Sequence, residues 1–363
     1  MGSITLTKRA RQSEEELRIA AIGLGWATTH RHLPWLYRCP QASVVGAIDR
    51  TPANVERARR RFPKLRLAVA EHGQSVDWMD QVDAVTVGTD PSSHYEIAKS
   101  FLLAGKHVLL EKPMAMSVQE GYDLAEIAQS KERILALVHN FQFARSMREL
   151  SVLIERGRVG EIRSIWAFQL SNHARRLPSW YEELPLGLFY DESPHMFYLT
   201  GAILKDAPEF LSAEIVDSLH GWSTPALVTI LLRSGAVPIQ LSMNFEAPLS
   251  EWQIIVLGSE CLAMVDIFRD VLVVARNDGQ HRARDIISTS LQAIRTHVAG
   301  TIRSGANHLL GRLAYGNDEV IARFVGACLT GVQPKGISAA DGIRVLEMQH
   351  EVLQSPHIKL DHA

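Results

Sequence analysis

Residues 17–28 read LRIAAIGLGWAT, a short apolar run that leads into two glycines one residue apart. An apolar run of this length predicts a buried β-strand. Gly23 allows a tight turn after the strand, and Gly25 lets the chain approach a pyrophosphate at the positive end of a following helix. Glycines at strand ends also serve turns alone, so the pattern needs support from the neighbouring sequence.

The same stretch follows the G-x-G-x-x-G/A pattern of dinucleotide-binding folds, with Thr28 at the third small position. Thr28 is small enough to be tolerated there, although it weakens the match. Trp26 and Ala27 lie inside the pattern. We expect them to contact a bound dinucleotide together with Gly23 and Gly25.

Asp49 ends the next apolar run, ASVVGAID. A carboxylate at this place accepts hydrogen bonds from the adenosine ribose hydroxyls. The alternative is an Asp that caps the helix beginning at Thr51-Pro52. Asp49 favours NAD because its charge would repel a ribose 2'-phosphate, while the adjacent Arg50 leaves NADP open.

Apolar runs alternate with helical stretches from residue 17 to residue 140. The runs are LRIAAIGLG, ASVVGAID, LRLAVA, AVTVGT, HVLLE and ILALVHN, and the helical stretches include 52–62, 94–104 and 118–130. Strands that alternate with helices of this length indicate βαβ units and a parallel sheet. We therefore predict an N-terminal α/β domain of the Rossmann type over residues 17–140.

The pattern changes after about residue 145. A helix is predicted over 147–156, and AVPIQLSMNF alternates strictly between apolar and polar residues, as in a strand with one buried face. SEWQIIVLG and CLAMVDIF resemble its neighbours. Residues 141–363 are thus predicted to form a second α/β domain on an open, mainly antiparallel sheet. Its exposed face could join subunits of a homodimer or homotetramer, or simply face solvent.

Residues 282–314 form a helical, moderately basic insert. Its apolar residues recur at helical spacing and would need a partner; they are Ile287, Leu291, Ile294, Val298 and Ile302. We expect the insert to cover part of the active-site crevice or to form a subunit contact.

Bulk composition excludes several classes of protein. The formal net charge is -2, which gives no electrostatic footprint for nucleic acid or an anionic membrane. No apolar run approaches the length that spans a bilayer. The three cysteines, Cys39, Cys261 and Cys328, are far apart, which disfavours disulfides and structural zinc. We expect a cytoplasmic protein without a metal, with residues 1–16 as a disordered leader.

The stretch Leu110-Glu111-Lys112-Pro113 begins at the end of the predicted strand HVLLE. Ligands of parallel α/β sheets bind at this edge, where strands end and loops begin. A charged pair here must leave the core, and Pro113 fixes the turn. The alternative is that the pair only solvates the turn.

The run TDPSSHYEIAKSFLLAGKHVLLEKPMAMS resembles the signature of the glucose-fructose oxidoreductase, inositol dehydrogenase and rhizopine-catabolism (Gfo/Idh/MocA) family. That signature is a Thr/Pro/His loop followed by A-L-x-x-G-K-H-V-x-x-E-K-P. The matching residues are Thr89, Pro91, His94, Gly105, Lys106, His107, Val108, Glu111, Lys112 and Pro113. Weaker similarity runs from about residue 17 to the C-terminus.

The resemblance implies a Rossmann domain joined to an open-sheet α/β domain, with the active site in the crevice between them. It places Lys112 at the nicotinamide, in contact with the substrate. It also implies that further residues bind the cofactor, namely Thr89, Pro91, His94, Glu111, Lys112 and Asn140.

The second family signature, roughly G-G-G-x-x-x-D-x-G-x-H-x-x-D, is similar to residues 185–198, PLGLFYDESPHMFY. Asp191 and His195 match the Asp and the His. Gly187 keeps one of the leading glycines, whereas Ser193 replaces the later Gly and Tyr198 the final Asp. The resemblance implies catalysis by Lys112, Asp191 and His195.

Ser193-Pro194 predicts a helix start, with Ser at the N-cap and Pro at the first helical position. His195 would then lie in the first turn, where the helix dipole disfavours the imidazolium. The result would be a neutral imidazole that can act as a general base. Asp191 could orient His195 or oppose that shift.

Several residues are expected to contact the substrate, and some of them depart from the family pattern. The family often has Asn-x-Arg-Phe after the last Rossmann strand, where this chain has Asn140-Phe141-Gln142-Phe143. Gln142 cannot pair with a carboxylate or phosphate, which favours a neutral polyol or sugar. Trp180 and Tyr181 could stack on a ring or pack into the core. Tyr198, at the position of the family's final Asp, is expected to contact the substrate together with Lys112, Asp191 and His195.

The leading functional hypothesis is oxidation or reduction at a CH–OH or C=O group of a sugar, cyclitol or similar molecule, with NAD or NADP as cofactor. One alternative is an enzyme with tightly bound NAD that oxidises its substrate transiently, as an epimerase or glycosidase. Another is a non-catalytic dinucleotide sensor. Retention of Lys112, Asp191 and His195 favours the enzyme.

Overall fold

Six parallel strands form the N-terminal sheet, in the order β3-β2-β1-β4-β5-β6. The strands are β1 (Leu17–Ile22), β2 (Ala42–Asp49), β3 (Arg66–Val69), β4 (Ala84–Val87), β5 (His107–Leu110) and β6 (Leu135–Leu137). The order reverses between β1 and β4, and α/β sheets bind ligands at the carboxyl ends of the strands at such a reversal. The predicted Rossmann architecture is confirmed.

The computed structural model describes residues 16–71, 76–175, 177, 179–204, 206–277 and 279–358. The predicted leader, apart from Glu16, lies outside the described residues.

Helices cover both faces of this sheet. They are α1 (Leu33–Leu36), α2 (Pro52–Arg61), α3 (His94–Leu103) and α4 (Val118–Ser130). A π-helical turn, Thr28–His32, precedes α1. The helix α4 begins with a capping box, in which the Ser117 hydroxyl accepts from the Glu120 N–H while the Glu120 carboxylate accepts from the Ser117 N–H. The three helices predicted from spacing are confirmed.

The second sheet has eight strands, in the order β13-β12-β11-β7-β10-β9-β8-β14. They are β7 (Ile162–Leu170), β8 (Glu209–Val216), β9 (Leu227–Ser234), β10 (Val237–Asn244), β11 (Glu251–Gly258), β12 (Cys261–Asp266), β13 (Val271–Arg276) and β14 (His357–Ile358). Neighbours are antiparallel except for β7 with β10 and β8 with β14. The mainly antiparallel sheet is therefore confirmed.

The alternation in β10 sets the faces of this sheet. Ile239, Leu241 and Met243 are buried, as their period of two predicts. One expectation is wrong in detail, because β7 lies between β10 and β11. The order of the strands along the sequence does not indicate that β7 is inserted between β10 and β11.

Five helices follow β6. They are α5 (Arg145–Glu155), α6 (Leu188–Gly201), α7 (Ala283–Leu309), α8 (Asn317–Thr330) and α9 (Ala339–Leu353). The buried side chains of α5 and α6 form one hydrophobic core with the inner face of the second sheet. The helix α6 thereby lies where the two domains meet.

The helices α8 and α9 correct the predicted domain division at residue 140. Val320, Ile321 and Phe324 of α8 are buried in one cluster with Leu17 and Ile19 of β1. Ile343 of α9 joins the cluster that contains β4, β5 and α4. The C-terminal part of the chain therefore returns to complete the Rossmann domain.

The helix α7, within the predicted insert, lies along β13 at the edge of the second sheet. Gln292 Nε2 donates to the Val274 carbonyl at 3.1 Å, and Gly300 lets the helix approach Val271 closely. The predicted apolar stripe points the other way, and its five side chains are 50–68% exposed. The stripe thus covers no crevice within this chain, and a subunit contact remains the prediction.

Candidate active site

Lys112 and Asp191 join the two domains. Lys112 Nζ donates to Asp191 Oδ1 at 2.6 Å and to the Asp191 backbone carbonyl at 2.8 Å. Lys112 follows β5 of the Rossmann sheet, and Asp191 lies in α6 of the second domain. An ammonium group carries three N–H donors, so one remains for a third acceptor in the crevice.

Lys112 keeps its charge although it is largely buried. Burial alone would lower the pKa of Lys112, but the carboxylates of Asp191 and Glu111 outweigh it and raise that pKa. The ammonium is consequently protonated at neutral pH. It can stabilise negative charge that develops on a nearby oxygen.

Glu111 is held by the protein itself. Its Oε1 lies 2.9 Å from His32 Nε2, and its Oε2 accepts from the Lys112 N–H at 3.1 Å. His32 Nδ1 in turn lies 2.8 Å from the Thr86 hydroxyl. Each carboxylate oxygen thus has one partner within the protein, and these contacts let Glu111 position Lys112. Cofactor binding by Glu111 stays a prediction.

The start of α6 corrects a sequence-based prediction. The helix begins at Leu188 after Gly187, whose φ of 54° favours glycine, and Pro194 lies inside it. Proline has no N–H for the Tyr190 carbonyl four residues earlier. The side chain of Gln349 on α9 supplies the missing donor, at 2.7 Å. The helix therefore tolerates Pro194, because Gln349, which is distant in the chain, donates to the carbonyl that Pro194 leaves without a donor.

His195 is buried, and its pKa lies well below its ordinary value. Burial is the largest cause, and the Lys112 ammonium adds to it. The neutral imidazole was predicted, but the helix-dipole explanation is wrong because His195 is seven residues beyond Leu188. Asp191 does not orient His195 either, since its carboxylate accepts from Lys112.

The partner of His195 is Tyr198. Tyr198 Oη lies 2.7 Å from His195 Nδ1, accepts from the Phe141 N–H at 3.2 Å and approaches Asn140 Oδ1 at 3.5 Å. The Asn140 amide nitrogen donates to the Tyr315 carbonyl, which turns Oδ1 toward Tyr198. Donation from the Tyr198 hydroxyl to Asn140 Oδ1 would put the imidazole proton of His195 on Nδ1 and leave a lone pair on Nε2. Asn140 accordingly acts through Tyr198.

Aromatic side chains enclose this histidine. The ring of Phe141 meets His195 edge-on with centroids 5.0 Å apart, and the ring of Trp252 lies 5.1 Å away. Such surroundings exclude water and strengthen electrostatic interactions at the imidazole.

The glycine loop after β1 fits a bound dinucleotide. Gly23 has a φ of 83°, and a Cβ there would lie 2.7 Å from the Thr89 side chain. The following helical turn directs backbone N–H groups toward this edge. Trp26 is 63% exposed beside the loop and stacks on His30. Gly23 must therefore be a glycine, because of its φ and its close packing against Thr89, as the motif predicts.

Gly88 accommodates the side chain of Thr28, which lies at the third small position of the glycine motif. A Cβ on Gly88 would lie 2.3 Å from Thr28 Oγ1. Gly88 thus makes room for the larger side chain of Thr28, which explains why the weakened motif still folds.

Asp49 is buried and holds the glycine loop. Its carboxylate accepts from the N–H groups of Leu24 at 2.6 Å and Thr51 at 2.7 Å, and from Asn54 Nδ2 at 3.0 Å. None of these donors is a backbone N–H of the first turn of α2, so these contacts do not make Asp49 a helix cap, and ribose binding stays a prediction. Arg50 pairs with Asp90 at 3.7 Å.

The Thr89-to-His94 loop is placed partly as predicted. Thr89 borders Gly23, whereas Pro91 and His94 are buried. His94 Nδ1 lies 2.7 Å from the Pro113 carbonyl, so the imidazole ties this loop to the one after β5. The expectation that His94 contacts the cofactor is corrected, because the ring has no accessible surface.

Two substrate-side expectations are also corrected. Gln142 Nε2 donates to the carbonyls of His139 and Gly336, so this amide holds the loop. Trp180 packs against the small core around Tyr190 and Leu346, as the core-packing alternative supposed. Tyr181 borders a cavity with Glu182 and Trp222.

Glu192 is a charged residue of this site that the sequence analysis missed. It is buried beside Asp191, and it contacts Arg175, Gln169 and Ser171. Burial raises the pKa of Glu192. Its position next to the matched Asp191 was a usable signal, but nothing in the sequence marked Arg175 as its partner.

Two negative findings apply to the part of the chain that the structure describes. No group of three or more His, Cys, Asp or Glu side chains there could hold a metal ion. No helix there is both long enough and apolar enough to cross a membrane.

The fold and the glycine loop define a two-domain protein with a dinucleotide-binding Rossmann domain. Residues 17–139 match the family described as "Oxidoreductase family, NAD-binding Rossmann fold". This match covers the N-terminal domain, which is thus similar to the Rossmann domain of the Gfo/Idh/MocA oxidoreductase family.

Relatives of known sequence agree with this assignment. An uncharacterized oxidoreductase of Schizosaccharomyces pombe is 29% identical over 50% of this chain and 49% of its own length. The scyllo-inositol 2-dehydrogenase (NADP(+)) IolW of Bacillus subtilis is 25% identical over 60% of this chain and 62% of its own. The chain thus matches about half the length of the first of these relatives.

Solved structures share the whole fold. KijD10, a 3-ketoreductase from Actinomadura kijaniata in complex with NADP, has a TM-score of 0.71 at 20% identity and covers 96% of this chain and 100% of its own. An oxidoreductase from Agrobacterium radiobacter in complex with NAD+, L-tartaric acid and magnesium has a TM-score of 0.76 at 15% identity, covering 94% and 96%. Both confirm the two-domain architecture.

Proposed function

We propose that this protein is an NAD(P)-dependent dehydrogenase or reductase that acts on a CH–OH or C=O group of a neutral, polyol-like small molecule. The observation that carries the proposal is the Lys112–Asp191 contact at 2.6 Å, which joins the cofactor domain to the helix that carries His195. This contact favours a site between the two domains, where ligand sites commonly occur.

Each residue has a role that follows from its contacts. A bound nicotinamide dinucleotide supplies the hydride acceptor or donor. Lys112 directs its remaining N–H to the reacting oxygen and stabilises the charge that develops on it. His195, with an unprotonated Nε2, takes the hydroxyl proton during oxidation and returns it during reduction. Asp191 holds the Lys112 ammonium in place.

The charges around Lys112 favour a neutral substrate. Carboxylates of Asp191, Glu111 and Glu192 all act on the Lys112 ammonium, and Arg175 is paired with Glu192. An anionic substrate would meet more negative than positive charge. A sugar or cyclitol avoids that repulsion, whereas the Gln142 amide is bound to backbone carbonyls and has no bearing on the substrate.

NAD is the proposed cofactor, with NADP as the alternative. The Asp49 carboxylate would repel a 2'-phosphate, and Arg50 is engaged with Asp90. We also propose a cytoplasmic homo-oligomer that assembles through the open face of the second sheet, with no nucleic-acid or membrane partner.

Hydride transfer to a sugar and cyclitol panel tests the function. Purified protein is mixed with NAD+ and each compound, and absorbance of the reduced nicotinamide is followed. Reduction of NAD+ with at least one compound, lost in Lys112→Ala, is the expected result. Tight NAD binding without net reduction across the panel would favour a sensor or a concealed redox cycle.

A further inference from the structure

A cavity of about 230 Å³ adjoins the first turn of α6 and has no role in the proposed reaction. His173, Tyr181, Glu182, Leu188, Trp222 and Phe245 are among the residues that line it. It lies between the loop that follows β7 and the loop that precedes β9.

The cavity is aligned with the catalytic groups. Leu188, Asp191 and His195 are three and seven residues apart on α6, which places them along the same side of the helix. At 1.5 Å per residue, Leu188 is about 10 Å from His195 along the helix axis. The Arg175–Glu192 ion pair links the cavity's loop to the residue next to Asp191. A ligand that reaches both places must be longer than a single six-membered ring.

Three aromatic side chains, Tyr181, Trp222 and Phe245, line the cavity together with the imidazole of His173. The ring of Trp222 lies 5.1 Å from that of His173 and 4.6 Å from that of His220, and Trp222 is 44% exposed. Sugar rings present an apolar C–H face, which packs on such side chains. The Glu182 carboxylate and the Ser223 hydroxyl offer hydrogen-bond partners for sugar hydroxyls.

Size and charge narrow the choice of ligand. A cavity of about 150 Å³ holds a benzene ring, so this one has room for a six-membered ring with substituents. Among the described lining residues there is no lysine or arginine to pair with a phosphate. A sugar ring therefore fits the lining better than the diphosphate of a nucleotide sugar.

We propose that this cavity is a subsite for the second ring of a glycoside whose first ring reacts at Lys112 and His195. The inference rests on the proposed function and makes it more specific. The substrate is then a disaccharide or a glycosylated cyclitol. Its reacting hydroxyl is on the ring that lies nearer to His195.

Binding measurements without turnover test the subsite. Protein loaded with NADH is titrated with cellobiose, lactose and galactinol, and with glucose, galactose and myo-inositol, by calorimetry and saturation-transfer NMR. At least one two-ring compound should bind about tenfold more tightly than its one-ring counterpart. Trp222→Ala should remove that gain, since a ring contact of this kind is worth about tenfold at most.

Leu219→Ala is the matched control. Leu219 is 46% exposed in the same loop and does not line the cavity. The subsite is overturned when no two-ring compound binds more tightly, or when Trp222→Ala and Leu219→Ala behave alike. Absence of hydride transfer with an intact two-ring preference overturns the proposed reaction alone. Turnover of one-ring compounds without that preference overturns the subsite alone.

Discussion

Tyr198 Oη lies 2.7 Å from His195 Nδ1, within one turn of α6. The contact holds the imidazole ring in place, and a proton on Nδ1 would leave Nε2 free, as a general base requires. Burial lowers the pKa of His195 well below 6.5, and the base form predominates above that pKa. We therefore expect kcat/KM for alcohol oxidation to rise with pH through this ionisation and to level off by neutrality.

Substitutions distinguish the role of His195 from that of Tyr198. His195→Asn should remove the inflection and most of the rate while dinucleotide binding persists. Tyr198→Phe should lower kcat by at least about tenfold, because Nδ1 loses its partner, and should move the inflection. Tyr122→Phe, which alters a surface hydroxyl bound to Glu347, is the control. An unchanged inflection in His195→Asn would identify another group as the base.

Lys112 should matter for turnover more than for cofactor affinity. Lys112→Ala should lower kcat by about a hundredfold, the scale for loss of one preorganised donor to a developing oxyanion. The Kd for NADH should stay similar. Lys99→Ala, which removes a lysine paired with Asp123 on the surface, should leave both unchanged. Equal kcat values for wild type and Lys112→Ala would rule out this role.

Asp49 should select NAD over NADP. Asp49→Ala should weaken NADH binding and narrow the gap to NADPH, measured by fluorescence titration. It should also lower Tm, because the Leu24 and Thr51 N–H groups lose their acceptor. Asn54→Ala keeps the carboxylate and serves as the control. Tighter binding of NADPH than of NADH by the wild type would contradict the assignment.

The exposed stripe on α7 should contact a second copy of the chain. Ile287→Lys with Ile294→Lys should reduce the mass of the assembly in sedimentation velocity, because burying two charges opposes association. Trp166→Lys with Leu231→Lys tests the open sheet face, where both residues are exposed. A mass unchanged by the α7 pair would exclude the helix from the interface.

Gln349 should compensate for Pro194 in the folded state. Gln349→Leu leaves the buried Tyr190 carbonyl without a donor and should lower the free energy of unfolding by about 1–3 kcal/mol. Pro194→Ala restores an N–H four residues after Tyr190. In that background Gln349→Leu should cost less, as urea unfolding of all four proteins would reveal. Additive costs would show that the two residues act independently.

The sequence was sufficient for the elements whose signals are local. Spacing of apolar residues predicted six parallel strands and the one-faced β10, and the E-K-P and D-x-x-x-H motifs led to Lys112, Asp191 and His195. These residues do meet, since Lys112 contacts Asp191 and lowers the pKa of His195.

Partners far apart in the chain could not be predicted in this way. Ser193-Pro194 is locally a good helix start, yet Gln349 makes the proline acceptable inside α6. His32 reaches Glu111 after a π-helical turn that no spacing rule anticipates. His94 and Gln142 looked like ligand-binding residues, and each is instead engaged by the protein.

The return of α8 to the first domain has a consequence for biosynthesis. The face of β1 that carries Leu17 and Ile19 is covered by Val320, Ile321 and Phe324, about 300 residues later in the chain. An emerging chain therefore exposes this apolar face until residues 320–324 have left the ribosome. The cofactor domain should become resistant to protease during translation only after α8 has emerged.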